Sequence, residues 1–248
     1  MITGGCGDIG TATTRKLAGL GAKVVIVDLW SLEDGKDHAR ESGAADYLRV
    51  DQGNSSEIHE AVAAVSRTFG TLDTVIGNAA HLSIGRLLER TALDWEESLR
   101  VNVTGCAMLA QAAVTQMLKQ PPDASGVRGR ILFTSSWVGT SPYPGSIDYC
   151  ASKAALDHLT RLVAQEYADQ GIRVNAVAPG ILDGGASRRA VERKPELKRM
   201  MLASIPVNKL GTSEQVADAF AFLCSPESNY ITGHILFVDG GCSLTKRD

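Results

Sequence analysis

Tyr149 and Lys153 could together exchange a proton with a substrate oxygen. They stand four positions apart in Tyr-Cys-Ala-Ser-Lys, a spacing that puts both side chains on one face of a helix. A phenol has a pKa of about 10, and a neighbouring cation favours the phenolate and lowers that value. We therefore expect Tyr149 to act as a general acid or base toward an alcohol or ketone. The spacing also arises by chance in unrelated chains, so other residues must support it.

Polar or turn-forming residues follow three apolar runs that are typical of buried strands. Ligands of open α/β sheets bind at the carboxyl ends of the strands, so we expect these residues to line one site. A further polar residue, Asn102, lies inside a long predicted helix, where an amide is unexpected. The residues at the strand ends are Ser135, Ser136, Asn78, Ala79, Pro179 and Gly180.

A glycine-rich turn near the start of the chain has the pattern Gly-x-Gly-x-x-Gly at Gly5, Gly7 and Gly10. Such a turn lets backbone N–H groups approach a pyrophosphate at the N-terminus of a helix. The next predicted strand ends at Asp28, where a carboxylate accepts hydrogen bonds from the ribose of NAD and repels a 2′-phosphate. The alternatives are an ordinary glycine-rich turn and a solvated carboxylate at a strand end.

Apolar runs and amphipathic stretches alternate along the chain, which predicts parallel strands joined by right-handed crossovers. We predict an α/β fold, a Rossmann-like doubly wound parallel sheet in three α/β/α layers, as a single domain over residues 1–248. The glycine-rich turn leaves only Met1 and Ile2 for the first strand, which we expect to be truncated, with a gap between its neighbours. The predicted strands are 23–28, 47–50, 72–76, 130–134, 173–177 and 234–238, and the predicted helices are 9–20, 55–69, 94–118, 148–167 and 213–224.

The composition is that of a soluble globular protein: 248 residues, 44% hydrophobic, 21% charged, with a net charge of −3. The lack of a basic surplus argues against nucleic-acid binding, and no apolar run is long enough to span a membrane. We do not expect the first residues to form a signal peptide. The five cysteines are scattered and show no metal-ligand spacing, so we expect a cytoplasmic protein with reduced thiols and no metal.

Taken together, these residues resemble the short-chain dehydrogenase/reductase family in its shorter, single-domain form. The resemblance runs from Thr3 to Gly241, and the order and spacing of the motifs make it specific. The motifs are the Thr-Gly-rich turn, Asp51, Asn78-Ala79, Asn102, Ser136, Tyr149-x-x-x-Lys153, Pro179-Gly180 and the closing Tyr230-Ile-Thr-Gly…Val238-Asp-Gly-Gly241.

The resemblance implies a catalytic tetrad and hydride transfer at the nicotinamide ring. Tyr149 would be the general acid/base, and Ser136 would hold the substrate oxygen. Lys153 would bind the nicotinamide ribose and tune Tyr149, and Asn102 would anchor a water that relays protons.

NAD is the expected cofactor, and the family implies a homotetramer or a dimer. Asp51 would face the adenine, and Asn78 and Ala79 would line the adenosine ribose. The residues expected to bind the cofactor are Gly4, Gly7, Asp8, Ile9, Gly10, Asp28, Asp51, Gln52, Asn78, Ala79, Tyr149, Lys153, Pro179, Gly180 and Ile181.

Three positions depart from the family pattern. Asp8 stands where the shorter members have a glycine in Thr-Gly-x-x-x-Gly-x-Gly, and Gly7 stands in for it. Gly77-Asn78-Ala79-Ala80 replaces Asn-Asn-Ala-Gly, and Gly184 replaces a threonine that contacts the nicotinamide amide. An acidic residue beside a pyrophosphate is unfavourable unless its side chain points away. We therefore expect the cofactor to be bound more weakly, or through different contacts, than in the family pattern.

The substrate region contains a basic segment, 184–201, and several aromatic residues. The segment is either a lid that faces an anionic substrate or a solvated helix face. His81 is either a substrate contact or an ordinary loop histidine, and Trp137 either lines the pocket or packs in the core. The expected substrate contacts are Ser136, Trp137, Tyr149 and His81, with Tyr143 and Ile147 as further candidates, and the basic residues are Arg188, Arg189, Arg193, Lys194, Lys198 and Arg199.

The sequence thus predicts an NAD-dependent oxidoreductase that interconverts a secondary alcohol and its ketone, with a small-molecule substrate. One alternative is a 3-oxoacyl-thioester reductase that uses NADPH, against which Asp28 argues. An alternative of another class is a non-catalytic regulator that binds a dinucleotide.

Overall fold

The computed structural model describes residues 1–244. Strands and helices alternate along most of this range. The strands are β1 (Ile2–Thr3), β2 (Val25–Asp28), β3 (Asp46–Arg49), β4 (Thr74–Gly77), β5 (Gly129–Thr134), β6 (Ile172–Pro179) and β7 (Ile235–Val238). The helices are α1 (Asp8–Gly19), α2 (Leu32–Ser42), α3 (Ser55–Phe69), α4 (Ala92–Leu99), α5 (Gly105–Met117), α6 (Ile147–Tyr167), α7 (Gly185–Arg193), α8 (Leu197–Ala203) and α9 (Ser213–Cys224).

All seven strands found within residues 1–244 form one parallel sheet, in the order β3-β2-β1-β4-β5-β6-β7. The chain runs outward from β1 to β3 and then crosses back to β4, beside β1. This reversal opens a crevice at the carboxyl ends of β1 and β4, which is where doubly wound sheets bind their ligands. The predicted Rossmann-like fold is confirmed.

Successive side chains of each strand point into two different cores, one on either side of the sheet. Val25 and Val27 face a core built with α3, α5 and α6, whereas Ile26 faces a core built with α1, α2 and α9. Because both faces of the sheet are covered by helices, most of the strands are apolar at their centres, as the sequence pattern indicated.

The first strand consists of only two residues, yet it joins its neighbours. Ile2 pairs with Ile26 of β2 and with Ile76 of β4, and Thr3 pairs with Val27. The expected gap is therefore bridged at the carboxyl end of the sheet, which is the end that carries the crevice.

The predicted elements agree with the structure to within two residues except at three places, one of which is the basic segment 184–201, where α7 and α8 form and no helix bounds were predicted. Helix α2 was missed because its sequence is mostly polar and includes Gly35; its buried positions are Gly35, Ala39 and Ser42. The predicted helix 94–118 is divided into α4, a π-helical turn at Arg100–Thr104, and α5. None of the helices in the described part of the chain is both long enough and apolar enough to cross a membrane.

Candidate active site

A cleft of about 640 Å³ lies at the carboxyl edge of the sheet. It brings together most of the residues that the sequence predicted for a dinucleotide and its substrate. Those that line it are Gly4, Gly7, Asp8, Ile9, Asp28, Asp51, Gln52, Asn78, Ala79, His81, Ser136, Tyr149, Pro179 and Gly180.

The glycine-rich turn forms a close-packed cradle at the start of α1. Gly4 has a φ of +59°, and a Cβ there would come within 2.7 Å of the Ala79 Cα. A Cβ at Gly10 would come within 2.3 Å of the Gly4 carbonyl oxygen. No side chain caps the N-terminus of α1 at Gly7, so the amides of its first turn remain available to an anion. The cradle fits a dinucleotide pyrophosphate.

Asp28 ends β2 at the edge of this cleft. Its carboxylate accepts hydrogen bonds from the Cys6 N–H at 3.0 Å and from the Leu29 N–H at 2.7 Å. These two bonds fix the carboxylate beside the glycine-rich turn. Burial, followed by the charge of Asp28 and its hydrogen bond, raises the pKa of the Cys6 thiol to about 12, so Cys6 stays protonated.

Asp51 belongs to an ion-pair network that the sequence analysis missed. The Arg100 guanidinium contacts the Asp51 carboxylate at 2.8 Å and the Glu97 carboxylate at 2.8 Å, and all three residues line the cleft. The hydrogen bond from Arg100 holds the pKa of Glu97 below its usual value. No local pattern in the sequence indicated this network, because Asp51 lies far from Arg100 along the chain.

Thr3, at the end of β1, forms hydrogen bonds with residues that follow β3 and β4. Its Oγ1 accepts hydrogen bonds from the N–H groups of Asn78 at 2.9 Å and Ala79 at 3.1 Å, and it donates to Oε1 of Gln52. The Asn78 amide group donates to the Gly4 carbonyl at 2.9 Å. Gln52 and Asn78 therefore support the cleft walls in addition to lining it.

Asn102 is fully buried in the π-helical turn, and it joins a loop to α6. Its Oδ1 accepts from the His81 N–H at 2.7 Å, and its Nδ2 donates to the His81 carbonyl at 2.8 Å. Nδ2 also donates to Ser152 Oγ at 2.9 Å, and Ser152 donates to the Tyr149 carbonyl at 2.7 Å. The amide that was unexpected in a helix thus fixes His81 at the cleft and connects it to the helix of Tyr149.

Tyr149 and Ser136 form the polar end of the cleft. Their side chains are hydrogen-bonded to each other, and both residues line the cleft. Burial raises the pKa of Tyr149 to about 12, although the hydrogen bond from Ser136 opposes this shift. The net lowering of this pKa that we expected from Lys153 is not found in the structure. The Lys153 ammonium lies 5.4 Å from the centroid of the ring, and the loss of solvent around the phenol dominates.

Lys153 is buried behind Tyr149. Its Nζ donates a hydrogen bond to the Thr134 carbonyl at 2.8 Å. Burial lowers the pKa of Lys153 to about 8, while the nearby Cys106 and Asp157 act to raise it. The side chain therefore carries its positive charge at pH 7 and loses it in the mildly alkaline range.

Asp8 and Gly184, two of the positions that depart from the family pattern, are close together in the structure. Asp8 Oδ2 accepts a hydrogen bond from the Gly185 N–H at 2.7 Å and lies 3.9 Å from Arg188 Nη1. A Cβ at Gly184 would come within 2.7 Å of the same oxygen. The Asp8 side chain is thus engaged by the segment that opens α7 and occupies the space that a side chain at position 184 would need.

Several predicted residues lie outside the cleft lining. Trp137 is buried in a small core with Ile205 and Cys242, against which Ile181 also packs. In the basic segment, Arg189 lines the cleft. The remaining basic residues outside the Asp8 contact are exposed, namely Arg193, Lys194, Lys198 and Arg199.

Comparison with known proteins agrees with this geometry. A family model described as enoyl-(acyl carrier protein) reductase matches residues 6–243. The chain is 34% identical over 248 residues to a 2,5-dichloro-2,5-cyclohexadiene-1,4-diol dehydrogenase of Sphingobium indicum, covering 98% of this chain and 95% of that relative. It is also 34% identical over 245 residues to a 3-oxoacyl-(acyl-carrier-protein) reductase of Thermotoga maritima, covering 97% and 96%. A solved structure of NAD⁺-bound xylitol dehydrogenase matches with a TM-score of 0.88 at 29% identity, covering 97% and 96%.

The chain belongs to the short-chain dehydrogenase/reductase family, a class of oxidoreductases that act on CH–OH groups. The family membership that the motifs predicted is confirmed.

Proposed function

We propose that this protein is an NAD-dependent dehydrogenase that interconverts a secondary alcohol and its ketone, with Tyr149 as general acid/base. The observation that carries the proposal is the position of the Tyr149–Ser136 pair in the same cleft as the glycine cradle. A nicotinamide dinucleotide held by the glycine cradle would supply hydride exchange with the substrate carbon. Tyr149 exchanges a proton with the substrate oxygen, Ser136 holds that oxygen, and the Lys153 charge stabilises the phenolate left behind.

The preference for NAD over NADP is supported by the end of β2. Asp28 presents a carboxylate at the cleft beside the glycine-rich turn, where it would accept hydrogen bonds from ribose hydroxyls and repel a 2′-phosphate. The two residues that follow it in the cleft wall, Leu29 and Trp30, are uncharged. They supply no cation to attract that phosphate.

A panel of substrates tests the proposal. Polyols, sugar acids, hydroxy acids and cyclic alcohols are offered with NAD and, separately, with NADP, and formation of the reduced nicotinamide is followed by its absorbance. We expect oxidation of at least one secondary alcohol with NAD, and a much slower reaction with NADP. Calorimetric binding of NAD without turnover of any compound would favour the non-catalytic regulator instead.

A second candidate is a 3-oxoacyl-thioester reductase, which the similarity to the Thermotoga maritima reductase favours. This reading requires a thioester substrate and NADPH, which the carboxylate of Asp28 opposes. A strong preference for NADPH in the reduction of a 3-oxoacyl thioester would establish it in place of the first proposal.

We also propose that the chain forms a homotetramer or a dimer in the cytoplasm. Large apolar side chains near the start of α4 are exposed, among them Leu87, Leu88 and Leu93. Exposed apolar groups that lie close together are typical of surfaces covered by another chain.

A further inference from the structure

A buried carboxylate lies one helical turn beyond Lys153 on the same face of α6. Tyr149, Lys153 and Asp157 follow one another at four-residue spacing, and the side chain of Asp157 is buried, with the residue 2% exposed. A carboxylate is costly to bury unless it is paired or hydrogen-bonded. The tetrad itself gives no reason for a carboxylate at this position.

One oxygen of Asp157 is held by the strand end that leads to Ser136. Ser135 donates a hydrogen bond from Oγ to Oδ1 of Asp157. The other oxygen, Oδ2, has no hydrogen-bond partner within residues 1–244. Gly139 packs over this oxygen, since a Cβ at Gly139 would come within 2.7 Å of it. The carboxylate is therefore enclosed by protein and only half satisfied.

Three consecutive residues at the end of β5, 134–136, are each bonded to a different side chain of α6. The carbonyl oxygen of the first accepts from Lys153 Nζ at 2.8 Å. The hydroxyl of the second donates to Asp157, and the hydroxyl of the third is bonded to Tyr149. These bonds fix the strand end along two turns of the helix, so the distance between the Ser136 and Tyr149 hydroxyls depends on all three.

The charge of Asp157 also acts on Lys153. Besides Asp157 and Tyr149 on its own helix, Lys153 faces the thiol of Cys106 on α5. Burial lowers the pKa of Lys153, and the negative charge of Asp157 opposes that shift. Burial raises the pKa of Asp157, while the hydrogen bond from Ser135 and the charges of Arg161 and Lys153 act to lower it. Arg161 also donates a hydrogen bond to the Asp157 backbone carbonyl at 3.3 Å.

We propose that Asp157 is a positioning residue for the acid–base pair: through Ser135 it fixes the strand end that carries Ser136, and it places a buried carboxylate one helical turn beyond the Lys153 ammonium. This assignment rests on the proposed function, because it gives Asp157 a role relative to Tyr149 and Lys153. Asp157 would be a fourth polar group of the site, behind Tyr149, Lys153 and Ser136.

The titration of Lys153 tests the electrostatic part without a substrate. The full chain is labelled with ¹³Cε-lysine, its NMR signals are followed against pH, and the Lys153 signal is assigned by its loss in Lys153→Met. In Asp157→Asn, which keeps the size of the side chain and removes its charge, we expect the Lys153 midpoint to fall by about one pH unit. An unchanged midpoint overturns this part.

The matched control is Asp148→Asn, since Asp148 is a second buried carboxylate on α6, bonded to Ser83 and Ser98 at 2.5 and 2.6 Å. We expect this variant to leave the Lys153 midpoint in place. An equal fall in both variants would mean that any buried charge on α6 has the same effect, and it would overturn a specific role for Asp157. The readout does not depend on turnover, so it remains valid if the proposed function fails.

Ser135→Ala tests whether Asp157 positions Ser136 through Ser135. If Asp157→Asn does not fold, this variant is the remaining test of the proposal. It removes the hydrogen bond to Asp157 without changing a charge. With an alcohol that the wild-type protein oxidises, we expect kcat to fall about tenfold while the Kd for NAD stays constant, because only the hydroxyl geometry is disturbed. A wild-type kcat in this variant overturns the positioning role, whereas absence of turnover in the wild-type protein would instead count against the proposed function.

Discussion

At neutral pH the residues at the polar end of the cleft are set to donate a proton. Burial raises the pKa of Tyr149 to about 12, so the phenol is protonated, and the pKa of Lys153, lowered to about 8, leaves the ammonium charged. A phenol beside a cation can give its proton to a ketone oxygen, because the cation stabilises the resulting phenolate. The same site acts as a base only after that proton has been removed.

Reduction of a ketone should therefore depend on pH through Lys153. We expect kcat for reduction by NADH to be constant from pH 6 to about pH 7.5 and to fall as the pH rises through about 8, where Lys153 loses its charge. The measurement is the pH profile of kcat with a ketone from the substrate panel. A rate that stays level up to pH 10 would show that the charge of Lys153 does not assist the step.

The Asp28 carboxylate should decide between the two dinucleotides. Asp28→Asn removes its charge, so we expect weaker NAD binding and an NAD/NADP preference reduced by about tenfold or more, as repulsion of the 2′-phosphate is lost. Calorimetry with each cofactor measures both changes. Asp46→Asn, an exposed carboxylate at the amino end of β3, is the control and should leave the ratio as it is. If Asp28→Asn also leaves the ratio unchanged, Asp28 does not contact the ribose.

Among the elements, the start of α1 and the start of α7 are adapted to each other. Asp8 replaces a family glycine, and Gly184 replaces a family threonine. In the structure the Asp8 carboxylate binds the Gly185 N–H in the space beside Gly184. Two departures that look independent in the sequence are a single contact in three dimensions, and the contact turns the acidic group toward α7.

This pairing predicts a non-additive pair of substitutions. Gly184→Thr should weaken NAD binding about tenfold, because its Cβ would meet the Asp8 carboxylate at 2.7 Å. Adding Asp8→Gly removes the obstacle, so the double variant should bind NAD more tightly than Gly184→Thr alone. The measurement is the calorimetric Kd for NAD of the wild-type protein, of both single variants and of the double variant, which together form a double-mutant cycle. Strictly additive effects would mean that the two positions act separately on the cofactor.

For the molecule as a whole, some features of the fold and the site could be predicted from the sequence alone and others could not. Periodicity predicted the parallel sheet, and motif spacing predicted that Tyr149, Ser136 and Asp28 would meet at its carboxyl edge, because strand order in this fold is fixed by connection rules. Contacts such as Asp51–Arg100 and Ser135–Asp157 join residues far apart in the chain, and no local pattern indicates them. The raised pKa of Tyr149 was also missed, since desolvation depends on packing from several elements.

The assembly of the molecule is the prediction that belongs to this scale. The exposed side chains of Leu87, Leu88 and Leu93 are expected to be covered by other copies of the chain. Analytical ultracentrifugation at micromolar concentration should then give four times the mass of one chain for a tetramer, or two times the mass of one chain for a dimer. Leu88→Glu places a charge on the 98% exposed position and should weaken the assembly. A monomer in the wild-type protein would contradict the proposal.

The most direct test of the central claim is Tyr149→Phe, which removes only the hydroxyl at the polar end of the cleft. The account predicts that turnover of the alcohol falls by about 10²–10⁴, while the calorimetric Kd for NAD stays close to the wild-type value. Tyr167→Phe, at the far end of the same helix, is the matched control and should retain wild-type turnover. Full turnover in Tyr149→Phe would contradict the account, because another group would then be transferring the proton.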